Sequence, residues 1–510
     1  MTKSIRSPKS IFTAILACVL TSCTSIPLLV PNPPSGDGET RQSTRGEEKK
    51  PKPSPSEKEE SAATGDDVDF SLAFAEETVR DTAGTPPEIR PGIEPRAGIE
   101  PRKDAEPRTD KESRSSVEPR TRKEQNTISV PSSTIRVTLR QGVISQEAYV
   151  MGPFEVRSSS LDDPFESRGR IVMEVRSGGR LSVSTPDSPP FEVALPCTLT
   201  LRGESALFDF GQESYRGMIV VTGTPKLTIV NYVDVEMYLR GVVPLEIGKA
   251  GNAELEALKA QAIAARTYAY NRMMEHSTRP FDVVSTFTDQ AYGGATVETP
   301  ESNAAVAATD GLVLSWNGAL AQAYFHSTCG GRTANISDVW DRQFCEYLSS
   351  VADYDDQGTA YCAISPRYTW KESWTADQLS RILRLTYKTA YPGSAFTGKL
   401  TSIVVGERYL CGRIQTCTLE SQTGENVCGG DKVRFVLRRK SAGGYLLRSA
   451  NFTVVENGPD RFEVEGIGYG HGVGMCQMGA IGRARAGQNY EEILKAYYTG
   501  IDIAKIHMGR

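Results

Sequence analysis

Glu246 stands in Val242-Val243-Pro244-Leu245-Glu246-Ile247, an acid among apolar neighbours just past a proline. A carboxylate in such surroundings loses solvation, which favours its protonated form and raises its pKa. A glutamate tuned in this way can serve as a general acid near neutral pH. A surface glutamate in a turn would carry the same local sequence, because charged side chains are mostly exposed. A second chemistry is invited by His326-Ser327, a base beside a nucleophile. That reading fails on geometry: neighbours on one strand point to opposite faces, and no Gly-x-Ser-x-Gly turn occurs in the chain.

The element that must position Glu246 is the segment after it. Asn252 reads as an N-cap and Glu254 suits the positive end of a helix dipole. Leu255, Leu258, Ala262, Ala265 and Ala269 fall on one stripe at helical spacing. Ala257, Ala260 and Ala264 thin the rest, so the helix can be buried on several sides. Gln261 and Tyr268 run along one edge of the stripe, and Lys259, Arg266 and Tyr270 along the other. A helix so apolar that still carries these groups is a candidate wall for a polar cleft; a core helix with snorkelling edges is the simpler account.

Longer motifs carry a resemblance. Tyr238-Leu239-x-Gly241-Val242-Val243-Pro244-x-Glu246 and Ala257-Leu258-Lys259-Ala260-Gln261-Ala262-Ile263-Ala264-Ala265-Arg266-Thr267-Tyr268 resemble the stage II sporulation protein D (SpoIID) family, which includes amidase enhancers. Gln290-Ala291-Tyr292-Gly293-Gly294, Tyr324 to Gly331 and Gly468 to Ala480 fit the same pattern in the same order. The resemblance covers about residues 200–505. It implies a peptidoglycan lytic transglycosylase with Glu246 as the acid, and a cleft for glycan strands. Gln261, Arg266, Tyr268, Gln290, Tyr292, His326, Ser327, His471 and Gln477 are then the expected substrate contacts. Some members of the family hold zinc on Cys and His just before the Gln-x-Tyr element. The matching stretch here, Val284 to Gln290, has neither residue, so no catalytic metal and no cofactor is expected.

The rest of the chain sets the context. Lys3, Arg6 and Lys9 precede a short apolar run, Ile11 to Leu20, ending at Cys23. This reads as a lipoprotein signal peptide over 1–22, with Cys23 lipidated and the protein exported, on the periplasmic side of a membrane. Residues 23–130 are rich in Pro, Ser, Glu, Lys and Arg and repeat Glu-Pro-Arg, which suits a disordered tether. Residues 131–230 hold short β-branched runs and form a β-rich lead-in. Residues 231–510 form the SpoIID-like part, with a hairpin at Asn317-Gly318, a helix over Trp370 to Tyr387, a strand over Val433 to Leu437 and a cysteine-containing insertion near 338–430. Beyond Cys23 the mature chain carries eight cysteines, which in an exported protein favours disulfides. The net charge of −5 gives no reason to propose nucleic acid.

These readings combine into an α+β protein: a disordered tail, a β-rich part, and a mixed part holding the cleft. The motifs supply one strong acid without a partner carboxylate. A two-carboxylate glycosidase needs a nucleophile or a base for water. One glutamate suffices if N-acetylmuramic acid closes on its own C6 hydroxyl, leaving a 1,6-anhydro end. The rival reading is a non-catalytic enhancer that binds glycan and a cell-wall amidase.

Overall fold

The computed structural model describes residues 127–203, 205–248, 251–440 and 444–509. The expected leader, the acceptor Cys23 and most of the tether lie outside these residues. Their architecture is α+β.

Strands of alternating burial make one large sheet, in the order Val283–Val284, Thr134–Val143, Leu227–Asp234, Met218–Thr222, Cys197–Leu201, Ser145–Ser158, Phe165–Val175, Arg180–Thr185, Ser188–Ala194. Its pairings are antiparallel except that of Val283–Val284. Ile135 and Val137 show the alternation: each is fully buried, while Thr134 and Arg136 on the other face are exposed and half-buried, respectively. A smaller sheet ties the ends of the folded part together. Thr127–Val130 pairs in parallel with Asp502–Met508, which also pairs with Leu312–Trp316. Among the described residues, the strand Thr127–Val130 precedes the expected 131 boundary. Ile128 and Val130 are buried there, a repeat too short to stand out beside the tether.

Among the described residues eight α-helices follow in chain order: α1 Val235–Glu246, α2 Leu255–Glu275, α3 Pro300–Ala308, α4 Ile336–Val339, α5 Ala376–Ala390, α6 Lys432–Val436, α7 Gln477–Arg485 and α8 Tyr490–Tyr497. Asp234 caps α1 by accepting from the Glu236 N–H at 2.9 Å. Helix α2 is enclosed by α1, α3, α7 and α8, and its alanines at 257, 260, 262, 264, 265 and 269 are fully buried. Its start differs from the expectation: Asn252 lies inside a 3-10 turn, Asn252–Glu254, and the Glu254 carboxylate accepts from the Gly251 N–H at 2.8 Å.

A second core gathers Trp374, Leu379, Leu383, Phe396, Ile403, Leu419, Val433 and Phe462. It spans Trp370 to Val464, past the 430 limit expected for the insertion. Two local expectations change here. Thr369–Thr375 is a strand paired with Arg461–Ile467, and helix α5 begins only after the Thr375 cap. Val433 to Val436 is helical rather than extended, with Leu437 as the C-cap, because Val433 and Val436 bury together at one-turn spacing. The Asn317-Gly318 turn has both residues at positive φ, 51° and 80°, the primed hairpin geometry. Its second strand is only Ala319–Leu320.

Two glycines hold the Gln-x-Tyr loop against α1. The Gly293 N–H donates to the Gly241 carbonyl at 3.1 Å, and a Cβ on Gly241 would come within 2.6 Å of the Gly294 carbonyl oxygen. Gly294 has φ of 62°, and a Cβ there would meet the Ser214 carbonyl oxygen at 2.2 Å. Gly294→Ala is expected to cost about 2–4 kcal/mol from strain and backbone collision together, read as a lower denaturant midpoint with unchanged slope. A midpoint within about 0.5 kcal/mol of wild type would show that this contact does not hold the loop.

Candidate active site

Glu246 ends α1, where the unpaired helix carbonyls present a negative partial charge. Its Oε1 accepts from the Ala291 N–H at 2.7 Å and its Oε2 meets the Gln477 Nε2 at 3.4 Å. The residue retains partial solvent access. Burial of the carboxyl nevertheless pushes its pKa up to about 7, against the pull of those two hydrogen bonds. The group is thus both reachable and protonated near neutrality, which a general acid requires.

Asp289, two residues before Ala291, is spoken for. Asp289 accepts from the Tyr268 hydroxyl at 3.0 Å, from Arg272 Nη2 at 2.6 Å and from the Val284 N–H at 2.9 Å. Its carboxylate carries an ion pair and organises the loop, and is not free to act as nucleophile or base. Through Tyr268 it also joins an aromatic row: Tyr268 to Tyr324 at 6.5 Å, Tyr324 to Trp340 at 4.8 Å, Trp340 to His471 at 5.0 Å and His471 to His326 at 5.5 Å between ring centres. Tyr268, Tyr324, Trp340 and His471 are each partly exposed, a face suited to stacking on apolar faces of sugar rings.

Both histidines are neutral at pH 7. Burial pushes His471 down to about 4 and His326 well below its usual range. The Val473 N–H donates to His471 Nδ1 at 3.1 Å, so its Nε2 carries the proton toward the Phe325 carbonyl at 3.0 Å. His326 donates from Nδ1 to the Val473 carbonyl at 3.1 Å, which leaves Nε2 as an acceptor with no protein partner.

Three expected substrate contacts are turned inward instead. Arg266 is fully buried; it pairs with Glu236 at 2.6 Å and donates to the Leu312 carbonyl at 3.0 Å. Gln290 is fully buried, accepting from the Tyr238 hydroxyl at 3.1 Å and donating to the Ala265 carbonyl at 3.3 Å. Tyr292 packs on Tyr215 and Tyr238 and donates to Asn231 at 3.0 Å. The physical reason is shared: polar atoms at the bottom of a packed motif must be satisfied by protein once water is excluded. Gln261 is also fully buried, with both amide atoms unpartnered. The Ser327 hydroxyl meets Thr328 at 3.3 Å while its carbonyl accepts from the Met478 N–H at 3.0 Å, which seats the start of α7. Of the expected set, Glu246 and Gln477 meet directly, and Tyr268, His326 and His471 line the aromatic row. Reading the sequence missed the Ala291 N–H, which has no side-chain signature, and Trp340, Tyr324, Asp289 and Arg272, whose roles depend on distant segments meeting.

Among the described residues, the eight cysteines carry no bridge. Cys417 and Cys428 oppose each other across a hairpin, and Cys329, Asp353, Cys362 and Cys476 converge elsewhere, their ligand atoms within 4.8 Å of one another. Among the described residues no helix is long and apolar enough to cross a membrane.

Helix α1 with its terminal acid, the buried alanine helix and the Gln-x-Tyr-Gly-Gly clamp together define one class of protein. Residues 224–316 match the family described as Stage II sporulation protein, and residues 359–474 match a domain of unknown function, DUF8618. The chain is 31% identical to stage II sporulation protein D of Bacillus subtilis over 291 residues, covering 54% of this chain and 76% of that protein. It is 32% identical to an uncharacterized protein of Brachyspira hyodysenteriae over 303 residues, 58% of this chain and 73% of the relative. It is 29% identical to the amidase enhancer of Bacillus subtilis over 298 residues, 51% of this chain but only 39% of that longer protein. The chain belongs to the SpoIID family.

Proposed function

We propose that this protein is a peptidoglycan lytic transglycosylase. It cleaves the bond between N-acetylmuramic acid and N-acetylglucosamine in peptide-stripped strands and leaves 1,6-anhydro-muramic ends. The observation that carries the reading is a reachable carboxyl raised to about 7, oriented by a backbone N–H and an amide, while Asp289 of the Gln-x-Tyr loop is already committed to an ion pair. Protonated Glu246 gives its proton to the glycosidic oxygen as the bond from C1 breaks. The carboxylate then takes the proton of the C6 hydroxyl as O6 bonds to C1. No water is consumed, and Glu246 ends as it began. Acid–base help of this kind contributes typically about 10² to 10⁴ in rate; holding the glycan along Tyr268, Tyr324 and Trp340 supplies positioning.

Export with a lipid anchor at Cys23 would place the enzyme beside its wall substrate, with the Pro- and Glu-rich stretch before the fold as a tether. The similarity to an amidase enhancer of Bacillus subtilis supports a wall setting. The similarity to an amidase enhancer favours one second reading, a non-catalytic glycan binder that stimulates a cell-wall amidase. Mass spectrometry of purified peptidoglycan incubated with the full chain, with and without amidase pre-treatment, separates them. Anhydro-muramic ends support the transglycosylase. Reducing ends mean hydrolysis with a second carboxylate, and intact strands with faster amidase release mean an enhancer.

The aromatic row gives a separate prediction. Trp340→Ala is expected to raise KM for stripped glycan roughly tenfold, as loss of one stacking face would, with kcat within about twofold. Steady-state kinetics on defined glycan strands check it; an unchanged KM would remove Trp340 from the substrate surface.

A further inference from the structure

The structure assigns Cys329, Asp353, Cys362 and Cys476 a structural zinc site, separate from Glu246 and independent of the reaction proposed for it. All four residues are at most 1% exposed. Their ligand atoms lie within 4.8 Å of one another, with Cys329 Sγ 3.5 Å from Cys362 Sγ and 3.3 Å from Asp353 Oδ2. A tetrahedral zinc with sulfur bonds near 2.3 Å separates its ligands by about 3.7 Å. The three thiols and the carboxylate oxygen are therefore near the spacing a zinc ion would impose.

What surrounds the four atoms fits ligands. Asp353 Oδ1 is occupied by Arg483 Nε at 3.0 Å and the Tyr497 hydroxyl at 2.9 Å, which leaves Oδ2 facing the sulfurs. Such outer hydrogen bonds orient a metal-binding carboxylate, and the Arg483 charge offsets an anionic ligand set. Backbone N–H groups point at sulfur: Cys329 and Gly479 donate to Cys476 Sγ at 3.1 and 3.3 Å, and Gly331 donates to Cys329 Sγ at 3.3 Å. Cys476 is also the N-cap of α7, where the helix end favours a thiolate.

A disulfide accounts for less. Bridging Cys329 to Cys362 would strand Cys476 and set the Asp353 oxygen against an uncharged bond. Cys417 and Cys428 supply the contrast within the same chain: a cross-strand pair outside any group of three ligands among the described residues. Three sulfurs and one oxygen in a closed, buried set select zinc over harder cations. The ion would tie Cys329 and the stretch from Asp353 to Cys362 to Cys476, and pin the residue before Gln477, the amide partner of Glu246.

The test uses the full chain, produced with its own leader and purified in detergent without chelator. Elemental analysis is expected to find about one zinc per chain, falling below a tenth in Cys362→Ser and Asp353→Asn and unchanged in Cys417→Ser. Zinc replaced by Co(II) in the wild type is expected to show thiolate-to-metal charge-transfer absorption, a readout that holds even if the substituted chains do not fold. A wild-type chain without zinc that also fails to develop this absorption with Co(II) overturns the proposal. So does a Cys329–Cys362 bridge in peptide maps, or zinc retained by a folded Cys362→Ser chain.

Discussion

Glu246→Gln is expected to lower turnover by about 10² to 10⁴ while making the protein more stable above neutrality. Removing the titrating acid removes proton donation to the leaving oxygen, yet the amide keeps the shape of the side chain and can accept from the Ala291 N–H. In the wild type, burial holds the folded-state pKa near 7, above the ordinary 4.5. A general acid must be protonated, so on the proposed reaction wild-type kcat/KM is expected to fall as pH rises through about 7. Stability follows the same sign. Between pH 4.5 and 7 the native state binds more protons than the unfolded chain, so stability declines as pH rises across that window. Partial exposure trims the loss to about 2 kcal/mol at pH 8, where Glu246 is charged in both states. The variant escapes it, so the gap in denaturant midpoint between the two proteins should open from pH 4.5 to 7 and then hold. A variant with wild-type turnover, or a gap that does not change with pH, would remove Glu246 from the role of acid.

Arg266→Ala is expected to cost about 3–5 kcal/mol, the range for breaking a buried ion pair from one side. The guanidinium lies wholly inside, bound to both oxygens of Glu236 at 2.6 Å and to the Leu312 carbonyl. Truncation leaves Glu236 without its cation and a carbonyl without its donor, in a space that water enters poorly. Glu236→Gln should cost less, since an amide still accepts from Arg266 and Glu236 is partly solvated. Urea unfolding of both variants checks the order. An Arg266→Ala chain within about 1 kcal/mol of wild type, with a large rise in KM instead, would return Arg266 to the substrate surface.

How far the site can be read in one dimension depends on the range of the forces involved. Local sequence was sufficient for α2, because alanine and leucine at helical spacing specify a thin helix whatever surrounds it, and for the primed turn at Asn317-Gly318, because two positive φ angles demand those residues. Local sequence left Glu246 open between a surface turn and a desolvated acid, and it was the longer motif that singled it out. Val433 to Leu437 shows the limit: five residues fit a strand or a helix, and only packing against α5 and the Gly424–Gly429 strand made most of them helical.

Long-range contacts decided the rest. The motif residues Arg266, Gln290 and Tyr292 are as polar on paper as any ligand for a sugar. The tertiary structure spends them on Glu236, on Tyr238 and the Ala265 carbonyl, and on Asn231, because a buried donor without water must find protein. The Ala291 N–H reaches Glu246 only because Gly241 and Gly294 let two backbones touch. Cys329 and Cys476 are 147 residues apart yet share an N–H···S bond. Sequence alone determined which family this chain joins and which acid to suspect. Folding alone decided which polar groups meet Glu246, which are held inside the core, and which thiols meet, because those choices depend on excluding water, and only packed segments exclude it.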